Sequence, residues 1–114
     1  MLLDRDKPEI NLIERTIKEV FVNNVEFGEF KELDSPYPEF EWSLKLYDKV
    51  NVRLFYDRSA LDIGVPKNGE YVLMSEYTTQ PFIRGMKATL PENLLNNFRV
   101  LDDVAKCILH EKPC

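Results

Sequence analysis

The chain changes its hydrophobic period twice, and this constrains its fold more than any other feature. Near both ends, apolar residues recur every three to four positions; in the middle they recur every second position. The first helical stretch opens with Asp6-Lys7-Pro8-Glu9, an Asp-x-x-Glu capping box with proline in the first turn. Ile10, Ile13, Ile17, Val20 and Phe21 follow at helical spacing, with Leu12 at the edge of that face. Asn23-Asn24 is a stop, because asparagine tolerates the left-handed cap. The pattern predicts a helix over residues 7–22. Thr89-Leu90-Pro91-Glu92 repeats the box. Leu94, Leu95, Phe98, Leu101, Ala105, Ile108 and Leu109 then form a wide apolar stripe, with Val104 beside it. This second helix should end near Glu111, before Pro113.

Between the helices the alternation predicts strands at 41–47, 50–56 and 60–65. Trp42, Leu44 and Leu46 share one face of the first, Val50, Val52 and Leu54 one face of the second, and Leu61, Ile63 and Val65 one face of the third. Asp48-Lys49 and Asp57-Arg58-Ser59 are the breaks between them, and Pro66 should end the third. Lys67-Asn68-Gly69 is a strong turn signal. Tyr71-Val72-Leu73-Met74 fits a fourth strand or the first turn of a short helix. A sheet with one apolar face must cover that face, and the two helices can do so. The expected architecture is α+β: a two-layer sandwich, with an antiparallel meander of three to four strands packed by an N-terminal and a C-terminal helix. With 114 residues, the chain suits one domain over 1–114, able to bury about 60–70% of its unfolded surface.

Charge is unevenly placed. Residues 1–48 hold 12 acids and 6 bases, a balance of −6, whereas 49–114 hold 8 acids and 9 bases, a balance of +1. An acidic first half argues against nucleic acid, whose phosphates need a basic patch. It suits a basic protein partner, although acids on a surface also serve solubility alone. The excess is densest in 25–47, "VEFGEFKELDSPYPEFEWSLKLY". There Glu26, Glu29, Glu32, Asp34, Glu39 and Glu41 are threaded through Phe27, Phe30, Tyr37, Phe40 and Trp42. Strand alternation assigns Trp42 to the core. Pro36 and Pro38 forbid helix and a central strand, so 26–40 is expected as a stiffened acidic loop or edge. Surface loops concentrate binding residues. The candidate partner-binding set is therefore Glu26, Glu29, Glu32, Asp34, Tyr37, Glu39 and Glu41, with charge reversal at Glu32, Asp34 and Glu39 as its test.

Signals for chemistry are weak. Cys107, His110 and Cys114 give three soft ligands, whereas a structural zinc site wants four. Cys107 lies beside the apolar stripe and suits a small core residue. No metal and no cofactor are expected. A Cys-His nucleophile pair has no visible orienting group, and no phosphate-cradling or nucleophile-elbow motif occurs. Glu39 and Glu41 share a strand face, but chance carboxylate pairs are expected among twenty acids. An enzyme is not expected. No apolar run follows a basic patch at the N-terminus and no stretch reaches the ~18 apolar residues of a membrane span. A cytoplasmic protein with both thiols reduced is the expectation.

The order of elements, with the hairpin "VNVRLFYDRSALDIGV" at 50–65 and its Asp-Arg turn, resembles bacterial immunity proteins that neutralise polymorphic toxins, including those of contact-dependent growth inhibition. The resemblance spans about half the chain, lies in its pattern, and carries over no individual residue. It implies tight binding to a cognate toxin domain, typically a basic nuclease, with the toxin's active site occluded. The alternatives are a non-enzymatic adaptor or chaperone of a phage or secretion assembly and, last, a small carboxylate hydrolase using Glu39 or Glu41.

Overall fold

The period-two middle of the chain folds into a single antiparallel sheet whose five strands lie in sequence order. The computed structural model describes residues 8–33, 39–57 and 60–112. Helix α1 runs Pro8–Phe21, followed by strands β1 (Val25–Glu32), β2 (Glu39–Leu46), β3 (Val50–Asp57), β4 (Ala60–Lys67) and β5 (Glu70–Leu73). Two 3-10 turns, Met74–Glu76 and Gly85–Thr89, lead to helix α2, Pro91–Leu109. This is the expected α+β arrangement with a fuller sheet. The tetrapeptide at Tyr71 does both of the things its sequence allows: it closes β5 and then enters a 3-10 turn. The arrangement begins with a strand that alternation had not revealed, β1.

β1 escapes a period-two pattern because it carries an extra residue. Val25, Phe27 and Phe30 pair with Leu46, Leu44 and Trp42, and the register shifts between Phe27 and Phe30. Gly28 and Glu29 together therefore oppose Ser43, which is a β-bulge. The bulge restores the phase. Phe27 and Phe30, three positions apart, both face the core, where a regular strand would send them to opposite sides. Glycine relieves crowding there, since a Cβ at position 28 would lie 3.2 Å from the Ser43 carbonyl oxygen.

The rings gathered by this device form a cluster under the first three strands. Trp42 is fully buried. Its ring lies 5.2 Å from Phe27 and 5.2 Å, edge-on, from Phe30. Phe40 stacks on Tyr56 at 4.7 Å, with an interplanar angle of 8°. The core continues through Leu44, Leu46, Val52, Leu54, Ile63 and Val65 to the inner faces of both helices, Ile10, Ile13, Ile17 and Phe21 from α1 and Leu94, Phe98, Leu101 and Val104 from α2. Both helices thus cover the same face of the sheet.

Turn chemistry accounts for two of the described connections. Asn68 and Gly69 both have positive φ, 53° and 83°, and join β4 to β5 as a two-residue primed turn. Pro66 does not end β4 as expected; the strand runs to Lys67. The β3 ladder stops at Gly64, so on that side Pro66 has no ladder bond to lose. Tyr47 and Asp48 have φ of 54° and 60° at the β2–β3 turn. This turn is tied to α2, because the Tyr47 hydroxyl donates to Asp102. Burial and then the Asp102 contact push the phenol up to about 12, so Tyr47 remains a donor through neutral pH.

Helix ends depart from the sequence reading in detail. α2 takes Leu90 as its N-cap with no side-chain cap bond, and Thr89 belongs to the preceding 3-10 turn. Its C-terminus is a Schellman motif, with Glu111 at φ 55°, Glu111 N–H donating to Ile108 and Lys112 N–H to Cys107. Cys107 is disulfide-bonded rather than the reduced thiol expected, and Cys114 lies outside the described residues. α1 ends at Phe21, one residue short of the expected end at 22. Val22 takes the left-handed position at φ 53°, its N–H donating to Lys18 at 3.0 Å. A β-branched residue is strained there, and Val22 is 65% exposed, so little packing compensates. Val22→Gly should therefore stabilise the domain by about 0.5–1 kcal/mol, measured as a raised urea midpoint at constant slope. An unchanged or lowered midpoint would show that the valine is held by contacts worth more than the strain.

Candidate docking face

With both helices on one side, the other face of the sheet is built by the alternate residues of each strand. No described helix or strand lies across it. Along β2 these residues are Glu39, Glu41, Ser43 and Lys45, and along β3 Asn51, Arg53, Phe55 and Asp57. β4 contributes Asp62 and Gly64, and β5 adds Tyr71 and Leu73. The centre of the face is partly apolar. Phe55 and Leu73 are half-buried, Tyr71 is exposed, and the Arg53 guanidinium lies over the Tyr71 ring at 5.2 Å. Carboxylates surround this centre.

The sequence-predicted residues divide over this geometry. Glu26 on β1 faces out, paired across the ladder with Lys45. Glu41 faces out between Lys31 on β1 and Phe55 on β3. Glu39 faces out directly opposite Asp57, two acids in register. Glu29 is exposed at the bulge. Glu32 is a correction: it pairs with Phe40 on the helix-facing side and is half-buried, because the bulge shifts the phase of everything after Phe27. Of the acidic loop or edge expected over 26–40, the edge alternative holds for 25–32, which is the outer strand of the sheet, whereas 39–46 is an inner strand and 34–38 lies outside the described residues. Asp34 and Tyr37 lie outside the described residues, as do Arg58 and Ser59 of the Asp-Arg turn.

Arg53, Phe55, Asp62 and Tyr71 belong to this face and were not among the predicted residues. The signal for the first three was present, since each alternates with a core position. The sequence did not say which sheet face lacks a covering layer. The ion pairs on the face are long. Arg53 Nη1 lies 4.0 Å from Glu41 Oε2, and Arg84 Nε lies 3.7 Å from Asp62 Oδ1. Arg53 also donates to Ser43 Oγ at 3.4 Å, at the limit of a hydrogen bond. Beside the bulge, Glu26, Gly28, Ser43, Lys45 and Asn51 line a shallow hollow of about 190 Å³.

A second concavity of about 480 Å³ runs between the helices, with Leu12, Arg15 and Glu19 on one wall and Pro91, Glu92 and Leu95 on the other. It mixes both charge signs. Among the described residues no three His, Cys, Asp or Glu side chains are grouped so as to hold a metal ion. Among the same residues no helix is long and apolar enough to cross a membrane. Family models, curated proteins and solved structures were all compared with this chain, and none matches.

Proposed function

We propose that this chain is an immunity protein of the polymorphic-toxin kind. It binds a basic toxin domain, a nuclease by preference, through the uncovered sheet face and covers that domain's active site without performing catalysis. The observation that carries this reading is the balance on that face. Glu26, Glu39, Glu41, Asp57 and Asp62 project from it against Lys31, Lys45 and Arg53, around a centre of Arg, Phe and Tyr. Interfaces enriched in aromatic residues and arginine, with charge kept to the rim, match that layout. Glu39 and Asp57 stand directly opposite each other in register, which adds to the negative potential of the face.

The test is the triple variant Glu26→Lys, Glu39→Lys, Glu41→Lys against the protein encoded directly upstream. Association should slow about tenfold at low ionic strength and less at high salt, because steering is screened. Thermal stability should fall modestly, since the lysines introduced in place of Glu26 and Glu41 would face Lys45, Lys31 and Arg53, whereas only the one in place of Glu39 would face an acid, Asp57. An upstream-encoded protein that does not bind the wild-type chain, or binds the triple variant with unchanged kinetics, overturns the reading.

A further inference from the structure

One cross-strand row passes through the middle of the docking face. Lys31, Glu41, Phe55 and Asp62 stand side by side on β1, β2, β3 and β4. Strands lie about 4.8 Å apart, so the backbone positions of Glu41 and Asp62 flank Phe55 across about 10 Å. The ring settles over Gly64, where an added Cβ would come within 2.8 Å of its edge. Glycine on β4 thus leaves the room that the Phe55 ring occupies.

Both carboxylates of the row already hold guanidinium groups of this chain, and hold them poorly. Arg53 approaches Glu41 at 4.0 Å and Arg84 approaches Asp62 at 3.7 Å. A formed charge-assisted hydrogen bond is about 2.7–2.9 Å. All four side chains retain substantial exposure, between 27% and 52%, and pairs of this kind contribute little to folding. An incoming cation that displaces them loses little. Guanidinium also suits the row better than ammonium, because its plane can lie on an aromatic ring while its edges reach two carboxylates.

We propose that this row anchors the partner protein, through an arginine side chain seated over Phe55 between Glu41 and Asp62. The proposal rests on the chain being a binder of basic protein surface, and it names the point of contact. The positive potential required of the partner is set by the acidic rim; the specificity for arginine is set by the ring between the carboxylates.

Hexa-arginine and hexa-lysine peptides are the probes, titrated into the isotope-labelled chain at about 150 mM salt and followed by amide NMR. Hexa-arginine should shift the amides of Glu41, Phe55 and Asp62 most, and should bind more tightly than hexa-lysine. Glu41→Gln with Asp62→Asn should weaken hexa-arginine at least about tenfold, whereas Glu26→Gln with Glu29→Gln, which removes the same charge, should weaken it about threefold or less. Phe55→Leu should erase the preference for arginine over lysine. All these positions are partly or fully exposed, and unshifted amides elsewhere report that each variant is folded. Shifts centred on the bulge, or equal weakening by the two carboxylate pairs, would overturn the anchor. The upstream-encoded protein separates the two ideas. If it binds the wild-type chain and is indifferent to Glu41→Gln with Asp62→Asn, the anchor falls and the inhibitor reading stands. If it does not bind while hexa-arginine gives the expected pattern, the inhibitor reading falls and the anchor stands.

Discussion

Trp42→Ala should cost about 3–5 kcal/mol of folding stability, the usual loss for an aromatic ring deleted from a closed core. The indole has no exposed surface, and it touches rings from two strands, Phe27 and Phe30 on β1 and Phe40 on β2. A domain of this size has roughly 5–15 kcal/mol in total, so the single change removes a third or more of a typical margin. β1 should suffer most. Among the described strands it lies at the edge, paired with β2, and its two phenylalanines are held against the sheet by the indole. Amides of 25–32 should therefore lose exchange protection beyond the global loss. Trp42→Phe keeps an aromatic partner for all three rings and should cost about half as much. Trp42 is the chain's one tryptophan, so circular dichroism rather than fluorescence must follow the transition in urea. A loss below about 1 kcal/mol for the alanine variant would mean that the ring cluster does not hold the first strand.

That cluster also shows where the sequence was legible. Trp42, Leu44 and Leu46 alternate without interruption, and their burial followed directly from period two. The helices were legible for the same reason at period 3.6, and Asn68-Gly69 because few other pairs adopt two positive φ angles in succession. β1 was not legible. Without its extra residue at the bulge, Val25, Phe27 and Phe30 would have stood at alternate positions. With the residue in place they read as neither helix nor strand. A bulge is a pairing between two strands, and a one-dimensional pattern does not contain it. Glu32 was misassigned by the same phase shift, since it lies beyond the bulge.

Helix ends failed for a related reason. Asn23 was the chemically better left-handed residue, but the packing of Phe21 into the core decides where α1 stops, and the chain turns at Val22. Thr89 has the side chain of a cap, but the 3-10 turn from Gly85 consumes it and leaves Leu90 in the cap position. The candidate site was half legible. Its acidity and ring content are written in the composition of 25–47. Its location on a sheet face, and the inclusion of Arg53, Phe55 and Asp62, depend on both helices choosing the same side. Neither helix's sequence states that choice.

Asn97→Leu should be the most damaging change at a buried polar position, costing about 2–4 kcal/mol. Asn97 is on α2, 3% exposed, and its side-chain amide takes the place of a partner strand. Ile83 N–H donates to Oδ1 at 3.0 Å, and Nδ2 donates to the Ile83 carbonyl at 2.7 Å. The irregular segment before α2 is also tied by Asn96 to the Pro81 carbonyl, by Gln80 to Asp103 and by Arg84 to Asp62. Leucine fills the volume but leaves both backbone groups of Ile83 without their partners, and each such group costs about 1–3 kcal/mol if it remains buried. Ile83 is 41% exposed, so the segment can instead lift off and hydrate. Part of the loss should then appear as local opening, with exchange at 80–84 accelerating more than exchange in β2 or β3. Asn97→Asp separates the two bonds. The carboxylate keeps the acceptor for Ile83 N–H but turns a charged oxygen toward the Ile83 carbonyl, so at neutral pH it should be worse than leucine. Burial and the facing carbonyl raise the folded-state pKa of that carboxyl above its unfolded value. Protonation restores a donor, so the aspartate variant should regain stability as pH falls and lose it as pH rises through the folded pKa. An aspartate variant whose deficit is the same at acid and neutral pH would show that the Nδ2 bond to Ile83 is not what secures the segment.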